Sequence, residues 1–599
     1  MKRSSCLFLL FPCLLGAQIK RSPEITAAEL RGHVQYLASD ALKGRKAGSV
    51  GADKAAGYIA NEFKLDKLAP MGDHGTYFQR FEFVSGVQLG TANTFVAREN
   101  GTTVDLRLDE QYRPLGFSSN GTFTGEVVFA GYGISAPENN YDDYHGVDVK
   151  DKAVIVLRYA PTTDSVRNQL NQFASLRYKA LKAKELGAKV LIVVTGPLDS
   201  DNDDLIKLSY DQSTGNAGIP AVTVTRAEVD GMLRNTGTTI KELQEAIARS
   251  KHPQTMAIKD LKIELQTDVV EIQNRSANVI GFLEGHDPAL QNEVVVIGAH
   301  YDHLGYGGEG SGSLKPDTVA IHYGADDNAS GTSGLLELAQ SFASRRTELK
   351  RSLLFIAFTG EEEGLLGSDF YVKNPTVPLV RTVAMINMDM IGRLNNGKLI
   401  VYGTGTSLEF DSLVTRHNAD SSFVLSLVKD GFGPSDQSSF YANRIPVYFF
   451  FTDLHADYHR PSDTWDKLNY GGMEKVVRFI EDVTFDVDQE STRPKYIAVA
   501  MPKASGSGSP AYRVYMGTIP DFGEQVEGMK LSGVREGSPA AKAGLQAGDI
   551  IVRFGTTDIK NLYDFAFALG EHKPGDDVDV VIKRGTELLT KTVKLEKRN

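Results

Sequence analysis

Four short apolar runs, at 294–297, 353–358, 383–388 and 446–451, constrain this chain more than anything else in it. Each is continuous rather than alternating, the pattern of a buried parallel strand covered by helices on both faces. Each is followed by ionisable residues: His300 and Asp302, then Glu361-Glu362-Glu363, then Asp389, then Asp453, His455 and His459. Open α/β sheets bind their ligands outside the carboxyl ends of the strands, so the runs predict one site supplied by four strand tips. Imidazole and carboxylate converging on one spot are ligands for a hard-to-borderline metal ion.

Taken singly, the pieces have ordinary readings. Asp326-Asp327 stands just before the helical pattern Leu335, Leu336, Leu338, Ala339, Phe342 and could be an acidic N-terminal cap. Thr359 and Glu362 fit a capping box, and His459 could be a solvated loop histidine. Independent caps and loops do not explain why all these residues follow strand ends, whereas a shared metal site does.

The motifs that carry these residues are GAHYDHLG with His300, GADDNASG with Asp326, TGEEEGLLGS with Glu361 and Glu362, NMDMIG with Asp389, and DYHRPSDT with His459. In this order they resemble the cocatalytic zinc exopeptidase family of leucyl-type aminopeptidases, glutamate carboxypeptidases, glutaminyl cyclases and the transferrin receptor ectodomain. The resemblance implies the zinc exopeptidase fold, an α/β architecture with a mixed, mainly parallel sheet flanked by helices, and two Zn²⁺ per chain. It makes Asp326 the carboxylate bridging both ions, with His300 and Asp389 completing one site and Glu362 and His459 the other. Glu361 becomes the general base, Asp302 the partner that orients His300, and Tyr458 a stabiliser of the oxyanion. A cis peptide is expected after the bridging residue, at Asp326-Asp327, and GPSDQSSF carries Gln437 where relatives often have histidine.

The activity so implied is that of an aminopeptidase removing N-terminal residues from peptides. A glutaminyl cyclase or a glutamate carboxypeptidase on the same scaffold is the alternative. A non-catalytic, receptor-like binding protein is disfavoured because His300, Asp326, Glu361, Glu362, Asp389 and His459 are all present.

The rest of the chain fits a multidomain exported protein. A net charge of -11 at pH 7 gives no footprint for nucleic acid. Residues 1–17 read as a secretory signal, with Lys2-Arg3, a short apolar stretch containing both cysteines, Cys6 and Cys13, and a small-residue cleavage site. That stretch is too short to span a bilayer, no other segment looks transmembrane, and the expected location is secreted or periplasmic. Residues 22–118 read as the N-terminal part of the peptidase domain; helices at 25–37 and 47–63 contribute packing rather than chemistry, and strands within 78–108 join the edge of the catalytic sheet. An inserted β-rich module at 119–255 is similar to the protease-associated domain, and residues 260–490 form the catalytic part. A Gly/Ser linker at 503–510 leads to residues 511–597, which resemble a PDZ domain through GSPAAKAGLQAGD. There Met516 and Gly517 would receive the C-terminal carboxylate of a peptide ligand, with a helix at 561–569 as one wall of the groove.

Overall fold

The computed structural model describes residues 22–597 except 162–169, 171–172, 211–215, 309, 500–513, 521–527, 535–536, 560–563, 566–567, 570–571 and 586. The expected signal segment with Cys6 and Cys13, the linker at 503–510 and five positions of the expected groove helix, 561–563 and 566–567, lie outside the described residues.

The apolar runs are strands because β-branched and aromatic side chains fit a pleated surface that is covered on both sides. One sheet contains β1 (Val269–Leu283), β2 (Val294–His300), β3 (Ser352–Phe358), β4 (Thr382–Met388), β5 (Lys398–Tyr402), β6 (Val424–Val428) and β7 (Val447–Phe451), in the order β1-β3-β2-β4-β7-β5-β6. The central strands β3, β2, β4 and β7 run parallel, so their carboxyl ends emerge on one side. β1 is antiparallel to β3 and β5 is antiparallel to β7. Every residue of β2, β3 and β4 is buried. Val295 and Ile297 enter one apolar cluster with Leu30, Ile59, Leu335 and Ile480, while Val294 and Val296 enter another with Tyr371 and Phe440. That alternation of neighbours to opposite faces gives the sheet its two helical covers. The covers include α1 (Ala27–Leu37), α2 (Val50–Leu65), α3 (Gly331–Ser344), α4 (Leu366–Lys373) and α5 (Tyr470–Gln489).

A second, eight-stranded sheet occupies the region between residues 94 and 267. Its strands Gly121–Ala130, Ala153–Leu157, Val190–Val194 and Ala221–Val224 run parallel to one another. Strand Thr94–Glu99 pairs with Thr255–Thr267, and Thr102–Asp105 pairs with Thr94–Glu99, so both belong here and not at the edge of the catalytic sheet, where the sequence pattern led us to expect them. The second sheet therefore begins before residue 119 and continues past 255. Alternating polarity identifies which face of a strand is buried, and in this case Phe95 and Ala97 are; it does not say which sheet supplies the partner. Inside this module the buried Asp143 carboxylate accepts hydrogen bonds from the backbone N–H groups of Tyr132 and Ile134, at 3.0 Å each, and from the Tyr141 hydroxyl. Burial pushes its carboxyl up to about 7.

The C-terminal residues have a core of their own, with Val514, Leu531, Ile551, Phe554, Val580 and Ile582 packed among antiparallel strands. Met516 and Gly517 make the turn between strands Val514–Tyr515 and Thr518–Pro520. Gly517 has φ +78°, and a Cβ added there would strike Ser538, so this turn requires glycine.

Candidate metal centre

The ends of the parallel strands bring five of the expected residues together. His300 closes β2, Asp389 follows β4, Glu361 and Glu362 follow β3, and His459 lies on the loop after β7. His300 Nε2 lies 3.3 Å from Asp327 Oδ1 and 3.4 Å from Asp389 Oδ2. His459 Nε2 lies 3.1 Å from Asp327 Oδ2 and 3.1 Å from Glu362 Oε2. The carboxylate shared by the two groups is thus Asp327, one oxygen in each.

Asp326, expected in that place, faces away. Its Oδ1 accepts a 2.7 Å hydrogen bond from Gly392 N–H, and its Oδ2 lies 3.3 Å from His455 Nε2. The non-proline cis bond is correspondingly Asp327-Asn328, one position later than expected. The physical reason is backbone direction. Asp327 has φ -104° and ψ 95°, an extended conformation in which neighbouring side chains leave the chain on opposite sides. With the backbone extended here, Asp326 and Asp327 cannot both point into the site.

Asp302 reaches both halves of the site. Its backbone carbonyl is 3.2 Å from His300 Nδ1, and its Oδ1 accepts a 3.2 Å hydrogen bond from the Glu361 N–H. Glu361 Oε2 stands 3.9 Å from His300 Nε2. Burial holds the Glu361 carboxyl well above the usual carboxylate range; Glu362 and Asp389 push the same way, and His300 opposes them. Burial would raise Glu362 too, but His459 and His303 outweigh it and hold that carboxyl down, to about 2. The two adjacent glutamates are therefore driven apart in proton affinity. The half-buried Tyr458 ring stacks on His459 with centroids 3.9 Å apart.

The residues fit a pair of zinc ions. Buried His300 Nε2 and Asp389 Oδ1 have no hydrogen-bond partner, an expensive state for polar atoms unless a ligand claims them. Zinc bonds of about 2.0–2.1 Å place neighbouring donors of a tetrahedron roughly 3.3 Å apart, which is the spacing seen around both imidazoles.

Residues 278–484 match the peptidase family M28 profile, and residues 515–595 match that of the PDZ domain. Aminopeptidase YwaD of Bacillus subtilis is 25% identical over 338 residues, covering 55% of this chain and 63% of the relative. A probable leucine aminopeptidase of Arthroderma otae is 29% identical over 230 residues, covering 36% and 57%. The chain thus spans little more than half the length of these curated relatives. Among solved structures, an aminopeptidase from Aneurinibacillus is 22% identical with a TM-score of 0.47, covering 81% of this chain and 97% of that one.

Several residues around this site carry more than their motifs suggested. Arg45, between the two N-terminal helices assigned to packing alone, is fully buried and donates to the carbonyls of Tyr301 at 2.7 Å, Tyr323 at 2.8 Å, Gly324 at 2.9 Å and Leu37. It ties the loop after β2 to the turn before Asp327. Asp463 accepts from the N–H groups of Asp326 and Asp327 at 2.8 and 3.2 Å, and its other oxygen accepts from Arg393. Gln437 is buried and its Oε1 accepts from Asn387 Nδ2 at 3.1 Å, so its side chain braces the end of β4. Lone arginines and glutamines leave no periodic signal in a sequence. The adjacent pair Asp326-Asp327 did leave one, and only backbone direction resolves it.

Proposed function

We propose that the chain is a zinc-dependent aminopeptidase that removes N-terminal residues from peptides. The observation that carries this reading is the division of Asp327, one oxygen 3.3 Å from His300 and the other 3.1 Å from His459. The relatives named as aminopeptidases support the substrate class. His300, Asp389 and Asp327 would hold one ion, and Glu362, His459 and Asp327 the other. Bound zinc supplies a Lewis acid that polarises the scissile carbonyl and lowers the pKa of water towards neutrality.

Glu361 takes the proton of the attacking water and passes it to the leaving amine. A carboxyl raised by burial is a stronger base than an exposed one, and once protonated it can return that proton to the leaving amine. Asp302 keeps Glu361 and His300 in register through the Glu361 N–H. Tyr458, stacked on His459, stabilises the oxyanion of the tetrahedral intermediate. In this reading the 94–267 module is a protease-associated domain, and the PDZ domain receives peptide carboxylates at Met516 and Gly517. Residues 1–17 direct export. Among the described residues no helix is long and apolar enough to cross a membrane.

The deciding experiment is hydrolysis of free-amino and N-blocked aminoacyl substrates by the purified mature chain, with and without chelator. Chelator-sensitive release from free-amino substrates alone is the expected result. No release from either set, with about two zinc ions still bound per chain, would replace the aminopeptidase reading with cyclase or carboxypeptidase chemistry.

A further inference from the structure

Glu362 has a second imidazole that none of the motif readings used. His303 is buried, and its Nδ1 lies 2.6 Å from Glu362 Oε1. We propose that His303 is a positioning residue for Glu362: it holds one carboxylate oxygen and thereby commits the other to the metal group formed with Asp327 and His459. The inference rests on the dizinc reading above and specifies how one of its carboxylates is oriented.

The distances separate positioning from ligation. A 2.6 Å contact is that of a charge-assisted hydrogen bond, shorter than the roughly 3.3 Å between donors that share one tetrahedral zinc. The oxygen His303 holds is Oε1, whereas Oε2 is the one 3.1 Å from His459 Nε2. His303 Nδ1 is also 3.8 Å from Asp327 Oδ2, farther than His459 Nε2 at 3.1 Å. Because a carboxylate only accepts, Nδ1 carries the proton. Of the two ring nitrogens, Nδ1 is the one engaged with Glu362; Nε2 is buried without a hydrogen-bond partner.

The ring is itself held in place. His303 N–H donates to the Arg45 carbonyl at 3.2 Å, and the ring meets His459 edge-to-face with centroids 5.8 Å apart. A Cβ added to Gly324 would lie 2.6 Å from the His303 ring, so that glycine gives the imidazole its seat. Metal-bound imidazoles are commonly oriented by carboxylates; here an imidazole orients the carboxylate. With Oε1 occupied, Glu362 presents one oxygen to the metal group instead of two.

The test compares the full mature chain with His303→Leu, which removes the donor, and His303→Asn, whose amide places an N–H close to the position of Nδ1. Zinc per chain is measured against a graded competing chelator, together with the visible spectrum of the cobalt-substituted protein and the melting of the metal-free forms. The expected result is a 10- to 100-fold loss of affinity at one of two sites in His303→Leu, substantial recovery in His303→Asn, and similar metal-free melting for all three. Two zinc ions held by His303→Leu as tightly as by the parent would overturn the inference alone. If His303→Asn loses the metal like His303→Leu and the cobalt band changes in both, His303 is a ligand and not a positioning residue, which also overturns it. A parent chain that binds no zinc would sink the metallopeptidase reading together with it.

Discussion

At the scale of single residues, the chemistry turns on which of two adjacent acids faces the imidazoles. Asp327 has an oxygen in each donor group, while Asp326 is engaged with Gly392 and faces His455. Asp327→Asn is therefore expected to lower affinity at both metal sites and to abolish turnover, whereas Asp326→Asn keeps two metals bound; elemental analysis after dialysis distinguishes them, and the opposite pattern would restore Asp326 as the shared ligand. Glu361→Gln is expected to keep both ions and lose about 10²- to 10⁴-fold in kcat, the usual contribution of a general base. Loss of metal from that variant would mean that the roles of Glu361 and Glu362 are exchanged. The motif GADDNASG made an acidic ligand legible without saying which one, because a string of letters carries no φ or ψ. His303 was not legible as a partner of Glu362: a histidine three positions after His300 has no characteristic spacing to a glutamate 59 residues away.

At the scale of elements, the central strands were readable because continuous apolar runs have few alternatives once helices cover both faces. The strands Thr94–Glu99 and Thr102–Asp105 were not, since an alternating strand can close either of two sheets and the choice is made by register with Thr255–Thr267. The module they join contains a measurable electrostatic cost. Asp143 moves from an ordinary 3.8 to about 7 on folding, so the folded state binds this proton more tightly than the unfolded chain does. Its contribution to stability is complete below about pH 4 and is lost as pH rises through about 7. Asp143→Asn cannot ionise and keeps an oxygen to accept from Tyr132 and Ile134. The melting temperature of Asp143→Asn relative to the parent is therefore expected to increase from pH 5 to about pH 7 and to level off by pH 8. Melting curves that differ by a constant amount across that range would mean that Asp143 is ionised throughout.

At the scale of the whole molecule, the division of labour follows from where the donors lie. Every residue assigned to metal or proton transfer falls between His300 and His459, inside the M28 match at 278–484. The PDZ residues have a separate core built from Val514, Leu531, Ile551, Phe554, Val580 and Ile582, and among the described residues they contribute no donor to either metal group. The Gly/Ser composition at 503–510 is what led us to expect a boundary before the PDZ residues; 503–510 themselves lie outside the described residues. Where a domain supplies neither ligand, base nor core to another, its removal is expected to alter substrate choice before it alters chemistry. Deleting residues 505–599 should therefore leave two zinc ions bound and hydrolysis of a small aminoacyl chromogenic substrate within about twofold of the parent, since a twofold change corresponds to only about 0.4 kcal/mol in transition-state stabilisation. Longer peptides ending in a free carboxylate are the substrates on which parent and truncation should separate, through KM more than kcat, because a groove that touches no reacting atom contributes binding that is equal in the ground and transition states. A truncated chain that is soluble, folded and zinc-loaded yet inactive on the small substrate would show that the PDZ domain is part of the catalytic architecture.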